Sequence, residues 1–302
     1  MKMTGTPYSM KDFSLGDNPA LRPEVVEAAI QLKYKEQFIG RNLLGLNPVK
    51  TSNISTIREE ASKGEVIWLS SEKAGLPYID TAFLKGTRRV EAYGAKFEVS
   101  REEQEEGHKD EVNVKIANLT HAIASFEDAR IFSEILGSSS LNSIEATRPW
   151  DVVSGETAGN PIKDLQSSRS AIKTATVANR IPDTVVISEA TFGYLTGYDF
   201  MKNTLYNTHS GGFINTAKIP PLMNMQVVIC DAIDPNDEGQ ALALKAKEIG
   251  LWEERWKLET WNKTGKDLDK PLVAFEYNAM AKGDANIKHA ELGCLITDLY
   301  TA

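Results

Sequence analysis

The chain has 302 residues, 41% of them hydrophobic and 25% charged, which is an ordinary globular composition with length for one large core or two smaller ones. Its 42 acidic and 34 basic residues give a net charge of −8, which argues against a sequence-reading protein that binds DNA phosphates. No apolar run is long enough for a secretion signal or a membrane span, so the protein is expected to be made inside the cell.

The N-terminal third predicts an arm, a helix and a β-hairpin. Residues 1–22 are polar and aperiodic, as in an extended arm, and Pro23 then opens a helix that runs to about Phe38. Two runs of β-forming residues follow, at 64–70 and 88–100, and Gly94 is a candidate bulge in the second. The polar, turn-rich residues between these runs indicate a long two-stranded hairpin that a neighbouring subunit would have to cover.

A long helix is the clearest element in the sequence. Ser100 and Glu103 form a capping box, and apolar residues, including Ile123 and Phe126, then repeat at helical spacing as far as Leu136. About 36 residues at a rise of about 1.5 Å each would span roughly 54 Å, with a possible interruption at Gly107.

The second half predicts a mixed α/β region. Asn160 caps a helix to about Ala178, and a buried strand at 184–188 leads into a helix capped by Ser188. Further strands are expected in 218–233 and in 240–302. The two cysteines, Cys230 and Cys294, stand in separate apolar stretches, which favours buried thiols over a disulfide or a zinc site.

The order of these elements resembles the major capsid proteins of tailed viruses (bacteriophage or archaeal). RVEAYGAKFEVSREE looks like a hairpin strand that continues into a spine helix, and HAIASFEDARIFSEILG is similar to the second half of that helix. RIPDTVVISEATFGYL and LMNMQVVICDAI resemble strands and a helix of the axial domain. The resemblance implies an α+β protein of the Hong Kong 97-type capsid fold.

The resemblance also implies a domain organisation in four parts. The first two parts are an N-terminal arm with the first helix (1–57) and an extended β-hairpin loop (58–99). The other two are a peripheral domain with the spine helix (100–149 and 251–291) and a mixed α/β axial domain (150–250 and 292–302). The chain has no room for an N-terminal scaffolding helix, so scaffolding is expected from a separate protein or not at all.

The implied function is self-assembly, as hexamers and pentamers, into an icosahedral shell around double-stranded DNA, without sequence specificity. Portal, scaffolding or decoration proteins are the further partners implied, no membrane is involved, and the shell would be assembled in the host cytoplasm. An encapsulin nanocompartment, which encloses cargo enzymes, has the same fold and is the alternative. The polar first 22 residues favour the virus, because encapsulins place a cargo-binding helix there.

The sequence predicts no catalytic residue, cofactor or metal ligand. Glu105 and His108 have the spacing of a di-iron carboxylate motif, so a metal-dependent enzyme is a second alternative, but the motif occurs once and in a highly charged run. Ser170 and Lys173 have the spacing of penicillin-recognising enzymes without their companion motifs. The other histidines, which lack partners at ligand-like spacing, are interpreted as structural or surface residues: His121, His209 and His289.

Two further groups have both a functional and a structural interpretation. Some capsids of this fold crosslink a loop lysine to a neighbouring subunit, and Lys73 and Lys85 lie in the corresponding loop, although surface charge is the simpler interpretation. Trp252, Trp256 and Trp261 could stack on single-stranded nucleic acid. The acidic residues among them favour packing in the core or between subunits instead.

Overall fold

The computed structural model describes residues 23–36, 39–59, 83–106, 108–153, 158–176, 180–198, 222–264 and 272–301. The helices are α1 (Pro23–Glu36), α2 (Gly40–Leu43), α3 (Arg101–Glu106), α4 (Lys109–Leu136), α5 (Pro161–Ala175) and α6 (Glu189–Thr196). The strands are β1 (Gly45–Pro48), β2 (Asn53–Glu59), β3 (Phe83–Arg89), β4 (Ala92–Ser100), β5 (Asn142–Glu145), β6 (Thr184–Ile187), β7 (Gln226–Ile229), β8 (Ala241–Leu244), β9 (Gly250–Thr264), β10 (Val273–Ile287) and β11 (Gly293–Thr297).

The described strands form three sheets. Their orders are β1-β9-β10-β4, β5-β11-β8-β6-β7 and β2-β3. The five-stranded sheet is mixed, because β6 pairs parallel with β7 and antiparallel with β8. These elements confirm the α+β class that the sequence predicted.

The chain divides into two compact units. The first contains the described residues of 1–38, 92–126 and 256–282, and the second those of 39–91, 127–255 and 283–302. Because α4, β9 and β10 each continue from one unit into the other, the unit boundaries fall inside secondary structure. The predicted domain boundaries are a different division and stay a prediction.

The core of the first unit lies between its helices and one face of its sheet. Val26, Ile30 and Tyr34 of α1 are buried, as the helical spacing predicted, and they share a cluster with Ile116 of α4 and Tyr277 of β10. This arrangement gives α1 and α4 a common apolar interior against the strands. Burial of each such side chain stabilises the unit by about 1.5–3 kcal/mol.

The expected apolar stripe of the long helix is correct at Ile123 and wrong at Phe126. Ile123 is 3% exposed, whereas Phe126 is 54% exposed and its described ring contact is a tilted one with Tyr93, at 5.3 Å between centroids. Phe126, three residues after Ile123, therefore lies off the buried face, whereas Ile131 further along the helix is fully buried. The single long helix that was predicted is present as two helices: α3 begins directly after the capping box, and α4 begins at Lys109 and ends at Leu136.

The second unit is built around the five-stranded sheet. All four residues of β6 are buried, and Trp150, Leu165 and Ile187 pack in the same cluster. The buried carboxylate of Asp164 accepts hydrogen bonds from the Trp150 indole Nε1 (2.9 Å) and from the Thr147 amide (3.0 Å). A buried carboxylate with several donors is a satisfied structural group.

All three predicted helix caps are present. The Glu103 amide donates to Ser100 Oγ (3.1 Å), and the Ser100 amide donates to Glu103 Oε2 (2.8 Å). Asn160 accepts from the Lys163 amide, and Ser188 accepts from the Thr191 amide. Local chemistry therefore sets where these helices begin.

The hairpin differs from its prediction. The run 88–100 is two strands separated at Val90, and its second part, β4, pairs antiparallel with β10. The described hairpin consists of β2 and β3, while the predicted run 64–70 and residues 1–22 lie outside the described residues. Gly94 is not a bulge: a Cβ there would be 2.3 Å from the carbonyl oxygen of Ala279, so glycine permits close strand approach.

Candidate assembly arm and its anchorage

The β2–β3 ribbon, called the arm below, is the candidate functional element. It is antiparallel from Asn53↔Arg89 to Glu59↔Phe83, and it pairs with no other strand in the described parts of the chain. A two-stranded ribbon is marginally stable in water by itself, and its unpaired edges favour pairing with another chain. The arm is therefore suited to contacts with neighbouring molecules.

The chain leaving the arm is held by Arg88, near the end of β3. Its guanidinium contacts Glu134 of α4 (2.5 Å) and Asp284 of β10 (2.7 Å), and it donates to the carbonyl oxygen of Ala285 (2.8 Å). Arg130 contacts the same two carboxylates, each at 3.2 Å. Arg88, Arg130, Glu134 and Asp284 are called the exit clamp below.

The electrostatics of the exit clamp favour the charged form of Arg88. Burial acts to lower the pKa of Arg88, but its hydrogen bonds and charge interactions with Glu134 and Asp284 outweigh burial and raise that pKa. The side chains of Arg88 and Glu134 are nevertheless 23% and 27% exposed, and that of Arg130 is 46% exposed. The clamp is an ion-pair network in partial contact with solvent.

The chain entering the arm is held by Arg41 of α2. Its guanidinium pairs with Glu127 of α4 (2.7 Å) and with Glu254 of β9 (3.1 Å), and it lies 4.8 Å above the centre of the Trp252 ring. Glu127 has no exposed side-chain surface and Glu254 only 8%. Arg41, Glu127, Glu254 and the adjacent Asp128 are called the entry clamp below.

Asp128 binds the backbone at the start of α2. Its Oδ1 accepts from the Gly40 amide at 2.7 Å. Burial raises the pKa of Asp128 to about 6, against a lowering by the backbone hydrogen bonds from Gly40 and Ile39. A Cβ on residue 40 would lie 2.8 Å from the same Oδ1 and 3.0 Å from Cδ1 of Ile131, so glycine is needed for this approach.

Backbone pairing extends both anchorages to the base of the arm. On the entry side β1 pairs parallel with β9 from Gly45↔Leu251, and the Val49 amide donates to the carbonyl oxygen of Glu254 (2.9 Å). The Val90 amide donates to the carbonyl oxygen of Ser52 (2.8 Å), which joins the two chain segments. The base of the arm is thus fixed on both sides.

The candidate enzymatic pair is described only at His108. His108 Nδ1 lies 3.0 Å from Glu111 Oε1, and Glu105 lies in α3 with its side chain outside the description. Its neighbour Glu103 completes the cap and pairs with Lys115, interactions that exceed the effect of burial and lower the pKa of Glu103. Among the described residues no group of three or more His, Cys, Asp or Glu could hold a metal ion.

The other singled-out polar residues are structural or at the surface. Ser170 Oγ donates to the Gln166 carbonyl within the same helix (3.0 Å), and His289 contacts Glu291 (3.1 Å). His121 is exposed. Three of the candidate groups lie outside the part of the chain that the structure describes: His209, Lys73 and the side chain of Lys85.

The tryptophans and cysteines follow the packing interpretation in part. Trp252 is 1% exposed, whereas Trp256 and Trp261 are 38% and 37% exposed, and Lys282 lies 5.0 Å over the Trp256 ring. Both thiols are buried and free, as predicted. Burial raises the pKa of Cys230 to about 12 and that of Cys294 to about 11, so neither is a reactive thiolate.

Neither clamp could be found in the sequence. Arg41 and Glu254 are 213 positions apart, and Arg88 and Glu134 are 46 apart. Ion pairs at such separations have no periodic spacing, because they are formed only by the fold.

In the described part of the chain, no helix has the length and apolar character needed to cross a bilayer.

The same arrangement of helices and mixed sheets is found in solved structures of virus-like particles and phage capsids. The virus-like particle from Pyrococcus furiosus superposes with a TM-score of 0.63 at 11% identity, covering 91% of this chain and 99% of that chain. The Mycobacterium phage Che8 structure gives 0.59 at 11% identity over 87% and 92% of the two chains. The capsid of a native GTA particle gives 0.58 at 11% identity over 99% and 96%. The chain has the Hong Kong 97-type capsid fold.

Sequence comparison identifies the family. A family model described as Phage capsid protein matches residues 86–269, which is more than half of the chain, and no curated protein matches the sequence. The chain belongs to the phage capsid protein family. It is a structural, shell-forming protein and not an enzyme, so the alternative based on Glu105 and His108 is not supported.

Proposed function

We propose that the protein is the major capsid protein of a tailed virus and assembles, as hexamers and pentamers, into an icosahedral shell around double-stranded DNA. The observation that carries this proposal is the arm. The two-stranded ribbon lacks any further strand partner among the described residues, yet both chain segments at its base are fixed by ion pairs. Such a ribbon is an element that a neighbouring copy completes.

The chemistry of the chain supports loose enclosure of DNA. The net charge of −8 favours a shell that holds DNA by confinement, since tight phosphate binding requires a basic surface. Portal, scaffolding or decoration proteins are further proposed partners, and assembly is proposed to take place in the host cytoplasm. The four-part division, with the arm of the structure inside or beside 58–99, belongs to the same proposal.

The experiment is electron microscopy of particles purified after expression of the chain, with a candidate scaffolding protein supplied in parallel. Closed icosahedral shells support the proposal. Stable monomers under every assembly condition, measured by analytical ultracentrifugation, would refute it.

The contents of particles from infected or induced host cells test the DNA component. Nuclease-resistant double-stranded DNA of uniform length is expected in those particles. Shells that instead contain a stoichiometric host enzyme and no protected DNA would make the protein an encapsulin and overturn DNA enclosure.

A further inference from the structure

We infer that the exit clamp is a releasable hinge. Arg88 sets the direction of the arm, and Arg130 neutralises the carboxylates of Glu134 and Asp284 when the contacts of Arg88 break. This inference rests on the proposed function, because the arm is taken to be the element that meets a neighbouring copy. It assigns to Arg88 a positioning role. It assigns to Arg130 the role of substitute cation.

Arg88 is suited to fix a direction because its contacts diverge. The guanidinium is a planar fork that reaches three partners: Nε contacts Asp284, Nη1 and Nη2 both contact Glu134, and Nη1 also donates to the Ala285 carbonyl. These partners lie on two elements, α4 and β10. A fork held at three points on two elements resists rotation, whereas a single-point ammonium contact does not.

The position of Arg88 makes this restraint effective. Arg88 is one residue from the end of β3, at the base of a ribbon that extends to Phe83. At about 3.3 Å per residue, the six steps from Arg89 to Phe83 span roughly 20 Å. A small rotation at the base therefore moves the far end by several ångströms, enough to change which surface of a neighbour it meets.

Arg130 lowers the free-energy cost of withdrawing Arg88 from Glu134 and Asp284. Loss of a cation normally leaves buried carboxylates unpaired, at a large cost in free energy. Here Arg130 already contacts both Glu134 and Asp284 at 3.2 Å, so both keep a cation when Arg88 withdraws. The Arg88 side chain, which is already 23% exposed, can then be hydrated at the surface.

The test measures the direction of the arm in the unassembled subunit. Nitroxide labels on Lys85→Cys in β3 and Ser133→Cys in α4 report the distance from arm to helix, and the buried native thiols at Cys230 and Cys294 are protected from labelling. Wild type is expected to give one narrow distance distribution. Arg88→Gln should broaden the distribution and shift its mean, and Arg88→Lys should do so less.

Arg89→Gln is the matched control, because it removes the same charge from the next residue of the same strand, where the side chain is exposed. It should leave the distribution unchanged. Identical distributions for Arg88→Gln and Arg89→Gln would overturn the positioning role of Arg88.

Arg130→Gln tests the role of Arg130 as the substitute cation. By itself this variant should narrow the wild-type distance distribution or leave it narrow. In its presence Arg88→Gln should cause a larger loss of thermal stability than it causes when Arg130 is present. An equal loss in both backgrounds would overturn the role of Arg130.

Particle diameter connects the hinge to assembly. Arg88→Gln should give a wider range of particle diameters than Arg89→Gln in the same electron-microscopy assay, and equal ranges would overturn a role of the hinge in assembly. The label experiment uses the subunit alone, so its result stands even where no shell forms. A failure of the proposed function is thereby distinguishable from a failure of the hinge.

Discussion

The entry and exit clamps use the same chemistry at opposite degrees of burial. Each has an arginine in or before the arm, a carboxylate on α4 and a carboxylate on a long strand. In the entry clamp Glu127 has no exposed surface and is held by Arg41, whose side chain is 12% exposed. In the exit clamp two partly exposed arginines share two carboxylates. The entry clamp joins one arginine to two carboxylates that are at most 8% exposed.

This difference teaches how ion pairs divide into fixed and adjustable ones. Breaking a buried pair leaves a charge that neither water nor another residue stabilises, whereas a network with a spare cation can exchange partners. The entry side should therefore contribute to the stability of the subunit, and the exit side to the direction of the arm.

Arg41→Met has the largest expected effect. It removes the guanidinium that pairs with the fully buried Glu127, and we expect the free energy of unfolding to fall by about 3–5 kcal/mol. Chemical denaturation of the unassembled subunit measures it. Arg89→Met, which removes the same charge from an exposed site, is the control and should change little. A loss of the same small size in both variants would show that the entry clamp is not a stabilising contact.

Ile123→Ala calibrates this loss against packing alone, because Ile123 lies one turn before Glu127 on the same helix. Removing its buried side chain should cost about 2–5 kcal/mol. Phe126→Ala, at a 54% exposed position, should cost less than about 1.5 kcal/mol through its contact with the Tyr93 ring. Thermal melts of both variants check the pair. Equal losses would contradict the assigned faces of α4.

Gly40→Ala should destabilise the entry clamp without removing a charge. The added methyl group would crowd Asp128 and Ile131, and overpacking of this kind costs about 1–3 kcal/mol. Gly193→Ala is the matched control, since a Cβ there meets nothing within 4 Å and alanine is the better helix former by about 1 kcal/mol. Denaturation midpoints should thus move in opposite directions. A shift to higher stability in both would show that residue 40 has room.

Much of the fold is encoded in local patterns. The capping box at Ser100, the helix spacing of Val26, Ile30 and Tyr34, and the buried strand at 184–187 were all predictable, because each is a relation between near neighbours in the chain. Phe126 was placed on the wrong face of the helix. Its spacing from Ile123 is helical, but the buried face is too narrow to include both residues. The predicted pairing of 88–100 in the hairpin was wrong because strand partners are chosen by tertiary contacts.

The entry and exit clamps could not be predicted from the sequence, for a different reason. An exposed arginine and a clamped one look alike in a sequence: Arg88 and Arg89 are adjacent, and only the fold brings Glu134 and Asp284 to one of them. The family resemblance gave the shell function correctly, since the order of elements is itself a signal. It carried no information on which side chains orient the arm.

The pH dependence of stability offers a separate measure of the entry clamp. The pKa of Asp128 is about 6 in the folded subunit, above that of an unfolded aspartate, so between about pH 4 and 6 the folded state retains a proton that the unfolded chain has lost. The contribution of Asp128 to stability is fully present below pH 4 and falls as pH rises to 6, by at most about 1.4 kcal/mol per pH unit. Carboxylates with lowered pKa values, such as Glu103, have the opposite slope.

The measurement is therefore the difference between wild type and Asp128→Asn, by denaturation at pH 4, 5, 6 and 7. Because asparagine does not titrate, the stability of wild type relative to the variant should decrease from pH 4 to 6 and then stay level. A relative stability that increases over the same range would mean that Asp128 is stabilised in its ionised form, and that its hydrogen bond from the Gly40 amide outweighs burial.

The smallest expected effect on stability belongs to the exit clamp. Arg88→Gln removes the residue with the most contacts at the base of the arm, yet Arg130 stays beside both carboxylates, and we expect a loss of less than about 1 kcal/mol. Denaturation measured at low and at high salt should show this small loss shrinking further as salt screens the network. Arg89→Gln should show neither the loss nor the salt dependence. If Arg88→Gln instead costs as much as Arg41→Met, the exit clamp is a fixed contact like the entry clamp, and Arg130 does not substitute for Arg88.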